Sequence, residues 1–183
     1  MKELALHLLD IAENSVAANA KNITISVLFD TEQDLLQMSI EDDGKGMDAE
    51  RLVRIADPFV TSRTTRKVGL GIPLFKAAAE SCNGTFDIQS TLGLGTIVTA
   101  TFQESHIDRM PLGNLKSTLI SLLIGYPDVH WVLKYGFNGN IFEFDDAPIK
   151  KELEGISLTN PDVLGFLNEY IASGIEAVQT ENA

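Results

Sequence analysis

The chain opens on a helical repeat. Leu4, Leu8, Ile11 and Ser15 fall on one stripe, with Ala5, Leu9, Ala12 and Val16 beside it. That spacing of three and four predicts an amphipathic helix over 4–18. Asn19 follows, a residue that accepts the left-handed conformation in which helices end. The period then changes to two. Residues 22–29 and 35–40 alternate across a polar stretch at 30–34, which predicts a β-hairpin. Asp42-Asp43-Gly44-Lys45-Gly46 breaks the alternation, and a short helix is expected over 49–56. Residues 58–69 carry no clear period. A helix from Gly69 to Cys82 comes next, ended by Asn83-Gly84, and strands at 85–89 and 96–102 flank Gly93-Leu94-Gly95. Helix, two strands, short helix, loop, helix, two strands: this order predicts the α+β class, as a two-layer α/β sandwich on a mostly antiparallel sheet.

After Asp108 the character changes. Pro111-Leu112-Gly113 punctuates the chain, a helix is expected over 115–124, and segments 131–137 and 141–144 read as a hairpin around Asn138-Gly139-Asn140. Asn160 and Pro161 announce a last helix, as N-cap and first helical residue. Its Val163, Phe166, Leu167, Tyr170, Ile171 and Ile175 form a broad apolar face. That face is either core, packed on the hairpin, or a surface for a partner or a second copy in a homodimer. A boundary near residue 108 divides a domain at 1–108 from a small α+β extension at 109–183.

Composition narrows the classes. The 183 residues are 44% hydrophobic and 22% charged, enough apolar material for a packed core. Lys and Arg total 14 against 26 Asp and Glu, a formal charge of −12. Such a surface repels phosphate backbones and anionic bilayers, so neither nucleic acid nor membrane is expected as the main partner. The one cysteine, Cys82, excludes a disulfide framework and a Cys-based zinc site. No apolar run has the length of a membrane span, and the start does not read as a signal peptide. A soluble, cytoplasmic protein is the expectation.

Three short patterns carry candidate chemistry. Asp10 and Asn14, at i and i+4, lie one above the other on the first helix. Asp42-x-Gly44-x-Gly46-Met47 leaves a strand end, where a carboxylate can accept the exocyclic amino hydrogen of adenine while the glycines leave room for the base. Gly69-Leu70-Gly71-Ile72 opens a helix, and bare N–H groups at a helix start bind phosphate oxygens. Each has a plainer reading when taken singly: a solvated face, an acidic turn, a flexible helix entry. No Walker A sequence occurs, and Leu74 stands where a dinucleotide fingerprint would need its third glycine.

Taken in order, these residues resemble the GHKL superfamily of gyrase-type topoisomerases, heat-shock chaperones, histidine kinases and mismatch-repair ATPases. Residues 9–18 are similar to its N box and 42–47 to its first Gly box. Asp57-Pro58-Phe59-Val60-Thr61 looks like the kinase-type F box, 69–72 like the second Gly box, and Gly93-x-Gly95-Thr96 like the final motif. The resemblance covers residues 1–102 and implies the Bergerat form of the sandwich, with ATP and Mg2+ as cofactors. By it Asn14 would ligand Mg2+ and Asp42 would hold adenine beside Gly44, Gly46, Met47 and Thr96. Gly69, Leu70, Gly71 and Ile72 would meet the phosphates. The segment from Phe59 to Val68 would be a lid, with Thr61, Arg63, Arg66 and Lys67 as contacts to ATP.

One departure bears on catalysis. Hydrolytic members carry Glu four residues before the magnesium Asn, and many histidine kinases carry Asn there. This chain has Asp10, the candidate catalytic residue, which either orients water or belongs to a phosphotransfer site without a base. Glu13 points about 100° away around the helix and is the lesser candidate. His7 reads as a surface or supporting residue. His106 and His130 have no ligand partners at useful sequence spacing, and no metal role is expected for them. The resemblance implies a stand-alone regulatory protein kinase of the anti-sigma-factor type, acting on a separate protein partner. The alternative is an Mg-ATPase or a nucleotide-sensing switch without turnover.

Overall fold

The structure, a computed structural model, describes residues 3–55 and 71–180. Its elements follow in chain order: α1 (Leu4–Ala17), β1 (Asn22–Asp30), β2 (Leu35–Asp42), α2 (Ala49–Ile55), α3 (Gly71–Glu80), β3 (Phe86–Thr91) and β4 (Gly95–Gln103), then α4 (Leu115–Gly125), β5 (His130–Phe137), β6 (Asn140–Asp145), α5 (Asp146–Glu152) and α6 (Pro161–Thr180). The expected α+β sandwich is present. Turn chemistry closes the elements as the residues suggest, with Asn19, Asn83 and Asn138 all at positive φ. Helix α5 has no counterpart among the expected elements. It is one short turn pair started by Asp145, whose carboxylate accepts from the Ala147 N–H at 2.8 Å.

Among the described residues, six strands form one sheet in the order β3-β4-β2-β1-β5-β6. Every pairing is antiparallel except β1 with β5, which run parallel from Asn22 opposite His130 to Phe29 opposite Phe137. Alternation puts Ile23, Ile25 and Val27 on the buried face, in register with Ile40 and Met38 on one side and Trp131, Leu133 and Tyr135 on the other. Leu4, Leu8 and Ile11 of α1, Ile72 and Phe75 of α3, and Leu167 and Ile171 of α6 complete the same apolar cluster.

The segment beyond residue 108 therefore lies along the first segment's sheet and shares its core. It also finishes α1. Glu3 makes no side-chain cap, and the helix-start donors Leu4 N–H and Ala5 N–H, which have no partner within α1, are taken by the carbonyls of Pro111 and Leu112 at 3.0 and 2.8 Å. The apolar face of α6 divides. Leu167 and Ile171 are buried, whereas Phe166 and Tyr170 stack on each other 5.7 Å apart and stay about half exposed.

Candidate functional site

One end of the sheet carries the candidate chemistry. Helix α1 crosses the sheet there, and a cleft opens between it, the exit of β2, the start of β4 and α2. Asn14 and Ser15 line it from α1, Asp42 and Met47 from the β2 exit, and Thr96 from β4. Ala18, Ile55, Ile72 and Val98 supply apolar wall.

Asp42 is the built feature. It is 9% exposed, and its carboxylate is held at both oxygens: Ser15 Oγ donates to Oδ2 at 2.6 Å, and the Gly44 N–H donates to Oδ1 at 2.9 Å. A buried carboxylate needs such donors, and each oxygen keeps a further acceptor direction. Register puts Thr96 directly opposite Asp42 across β2 and β4. Thr96 Oγ1 in turn lies 2.9 Å from Ser90 Oγ, which accepts from the Met47 N–H at 2.8 Å. The β3–β4 turn is thereby tied to the Gly44–Met47 loop, and the Gly93 N–H adds a bond to the Lys45 carbonyl at 2.8 Å. Gly95 is required here: its φ is +127°, and a Cβ would stand 1.9 Å from the carbonyl oxygen of Asp42.

Asp10 sits where α1 meets the start of α3. A Cβ on Gly71 would lie 2.9 Å from Asp10 Cβ and 3.3 Å from its Oδ2, so the glycine lets α3 approach the acid closely. The α3 N-terminus is a favourable place for a negative charge. Glu13 belongs to another face, with Tyr126 Oη of the later segment 3.5 Å from its carboxylate. His7, expected at the surface or in support of its neighbours, is 2% exposed and stacks on Phe75 with ring centroids 5.4 Å apart. Burial is the largest influence on this ring and pushes its pKa down, against the pull of nearby Asp10.

The structure thus brings together Asn14, Asp42, Gly44, Gly46, Met47, Gly71, Ile72 and Thr96, with Asp10 one helical turn from Asn14. Phe59, Thr61, Arg63, Arg66, Lys67, Gly69 and Leu70, with the F box and the lid, lie outside the described residues. Two participants escaped sequence reading. Ser15 was legible only as part of the apolar stripe, though its place one residue after Asn14 turns it inward. Arg51 also lines the cleft, from α2, and its helix gave no signal of which face meets the cleft.

Another cluster was invisible in sequence spacing. His130 Nε2 lies 2.8 Å from Asp145 Oδ1 and 4.0 Å from Asp146 Oδ1, three potential ligand atoms within 4.8 Å of one another. The Lys150 ammonium already supplies a cation there, 2.6 Å from Asp146 Oδ2. Burial pushes the Asp146 carboxyl up, against its bonds to Lys150 and to the Trp131 N–H.

Comparison with known proteins agrees with this architecture. The family described as histidine kinase-, DNA gyrase B-, and HSP90-like ATPase matches residues 2–106. Sensor histidine kinase YvrG of Bacillus subtilis is 28% identical over 95 residues, which is 50% of this chain and 16% of that protein. The non-motile and phage-resistance protein of Caulobacter vibrioides is 33% identical over 115 residues, 60% of this chain and 14% of that protein. The match thus spans about a sixth of each relative or less. The MutL ATPase domain of Aquifex aeolicus, solved as a complex with ADP, superposes with a TM-score of 0.55 at 11% identity, covering 84% of this chain and 68% of that one. At that identity the likeness speaks for the fold alone. With more than half its length matched by one family, the chain belongs to the histidine kinase-, DNA gyrase B- and HSP90-like ATPases.

Proposed function

We propose that this chain binds ATP in the cleft beside Asp42 and uses it as a regulatory protein kinase acting on a separate protein. The observation that carries the nucleotide reading is the Asp42 carboxylate. It is nearly buried, gripped by Ser15 and Gly44, and set at the floor of an apolar cleft. A purine offers what such a site lacks, a flat apolar ring with an amino donor on its edge. Guanine presents an acceptor oxygen at that place and would face the carboxylate unfavourably.

The residues present also suit Mg2+. Asn14 supplies a side-chain carbonyl oxygen at the cleft, the donor type a hard cation takes, and magnesium ordinarily completes its shell with phosphate oxygens and water. When bound, the ion would neutralise phosphate charge. Asn14 would hold it, Asp42 would orient the base, and the backbone at the start of α3 would face the phosphates.

Family membership and the match to sensor histidine kinases support transfer to a protein. A second reading, hydrolysis, rests on one observation: Asp10 presents a carboxylate beside Gly71, where a water could be oriented.

Titration calorimetry with a non-hydrolysable ATP analogue and Mg2+ tests the first step. Asp42→Asn is expected to weaken binding at least about tenfold, or about 1.4 kcal/mol. Unchanged affinity would remove the adenine from this acid. Incubation with labelled ATP and co-purifying proteins tests the second step, and label on a partner protein is the expected outcome. If phosphate is released to water instead and Asp10→Asn abolishes that release, the chain is an ATPase switch.

A further inference from the structure

A row of hydrogen bonds crosses the same end of the sheet from the nucleotide loop to the segment beyond the family match. Asp43, next in sequence to Asp42, accepts from Lys21 N–H at 2.7 Å, Asn22 N–H at 2.9 Å and Asn22 Nδ2 at 2.6 Å. With its amide nitrogen committed to Asp43, Asn22 turns its Oδ1 toward His130 Nδ1, 2.9 Å away. The other ring nitrogen faces Asp145 Oδ1 at 2.8 Å. Asp145 also accepts from the Ala147 N–H and Asp146 from the Trp131 N–H, which fixes both acids at the start of α5. The row thus joins β2, β1, β5 and α5.

We propose that His130 is a positioning residue for the nucleotide site: its protonated ring holds Asn22 against Asp43 and so steadies the loop that carries Asp42. This deepens the function proposed above and rests on it.

The chemistry is one of mismatched lone pairs. Both ring nitrogens face acceptors, so only the imidazolium, a donor at each, satisfies the row. A neutral ring must turn one lone pair on an acceptor. Turned on Asp145, it meets a full carboxylate charge. Turned on Asn22, it meets an amide oxygen, and flipping that amide merely sets its oxygen against Asp43. The contact with Asn22 is the weaker conflict, so deprotonation loosens the Asn22 side chain, one of the three donors to Asp43, while the Lys21 and Asn22 N–H groups keep their bonds.

The charges facing His130 are these. From β1 comes Asn22, neutral, backed by the Asp43 carboxylate of the β2 exit. From the end of β6 comes Asp145, and from α5 come Asp146 and the Lys150 ammonium. Burial pushes the Asp145 carboxyl up, but the Ala147 N–H and His130 outweigh it and hold it below the usual range. Asp43 behaves alike, its hydrogen bonds to Asn22 and Lys21 overcoming burial. Both acids therefore stay ionised near neutral pH.

The test uses the full chain and an Mg2+-loaded, non-hydrolysable ATP analogue, with calorimetry from about pH 5.5 to about 8.5, which spans the usual histidine range. Taking the ratio of wild-type to His130→Gln affinity at each pH cancels the titration of the ligand and of His7. That ratio is expected to fall about threefold as pH rises, the effect of one ordinary hydrogen bond. In parallel, NMR of the wild type is expected to show the Gly44 amide shifting with the same midpoint as the His130 ring. A ratio constant across the range, or a Gly44 amide indifferent to His130, overturns the proposal. If the variant does not fold, the NMR result alone decides. Binding that does not vary with pH in either protein defeats only this inference. No binding by either protein at any pH defeats the nucleotide reading itself.

Discussion

Ser15 shows how one hydroxyl can matter more than its exposure suggests. It spends its hydrogen on Asp42, and a bond to a charged group contributes about 1.5–3 kcal/mol. Ser15→Ala should leave the fold intact, free one oxygen of Asp42, and weaken binding of the ATP analogue by about tenfold in calorimetry. His7 carries a pH signature instead. Its folded pKa lies below the ordinary value near 6.5, so between the two values the unfolded chain binds more protons. Its neutral form is unpenalised above about pH 6.5, and stability is lost as pH falls below that toward the folded value. Urea denaturation at stepped pH should show that loss, and His7→Phe, which keeps an aromatic ring on Phe75, should flatten it.

Helices α1 and α3 meet over Gly71 because nothing larger fits beside Asp10. A methyl group 2.9 Å from Asp10 Cβ must push the helices apart or turn the acid away. Overpacking of this sort costs about 1–3 kcal/mol. Gly71→Ala is expected to lower the urea midpoint accordingly and to weaken nucleotide binding, since α3 starts at the cleft. The same element pair explains an ambiguity of sequence reading. A Gly-x-Gly opening a helix signals phosphate binding or mere flexibility, and the closeness of Gly71 to the Asp10 side chain adds a third role, close helix packing. Helix α5 was illegible for the opposite reason. Its seven residues are too few for a periodic signal, and the start depends on Asp145 as a cap rather than on an apolar stripe.

Across the whole molecule, the single sheet decides what the later segment is for. Strand β5 covers the edge of β1 along eight paired residues, Trp131 and Tyr135 fill the core against Ile23 and Val27, and Pro111 and Leu112 cap α1. A chain ended at residue 108 would expose that edge and leave the cap unmade. Such a chain is expected to aggregate or to melt well below the full chain, as sizing chromatography and thermal denaturation would show. Among the described residues, no helix is long and apolar enough to cross a membrane. What the sequence determined by itself is local. Periods of 3.6 and 2 announced the elements of the first 103 residues, the asparagines at 19 and 83 marked their turns, and Asn138 marked the turn of the later hairpin. The ordered acid and glycine motifs marked the cleft, because backbone conformation and close approach restrict which residues can serve there. Only tertiary structure decided the partners. The parallel pairing of β1 with β5, the grip of Ser15 on Asp42 and the row from Asp43 to His130 join residues 21 to 108 positions apart. No period or spacing records them, since they arise when separate strands settle in register over a shared core.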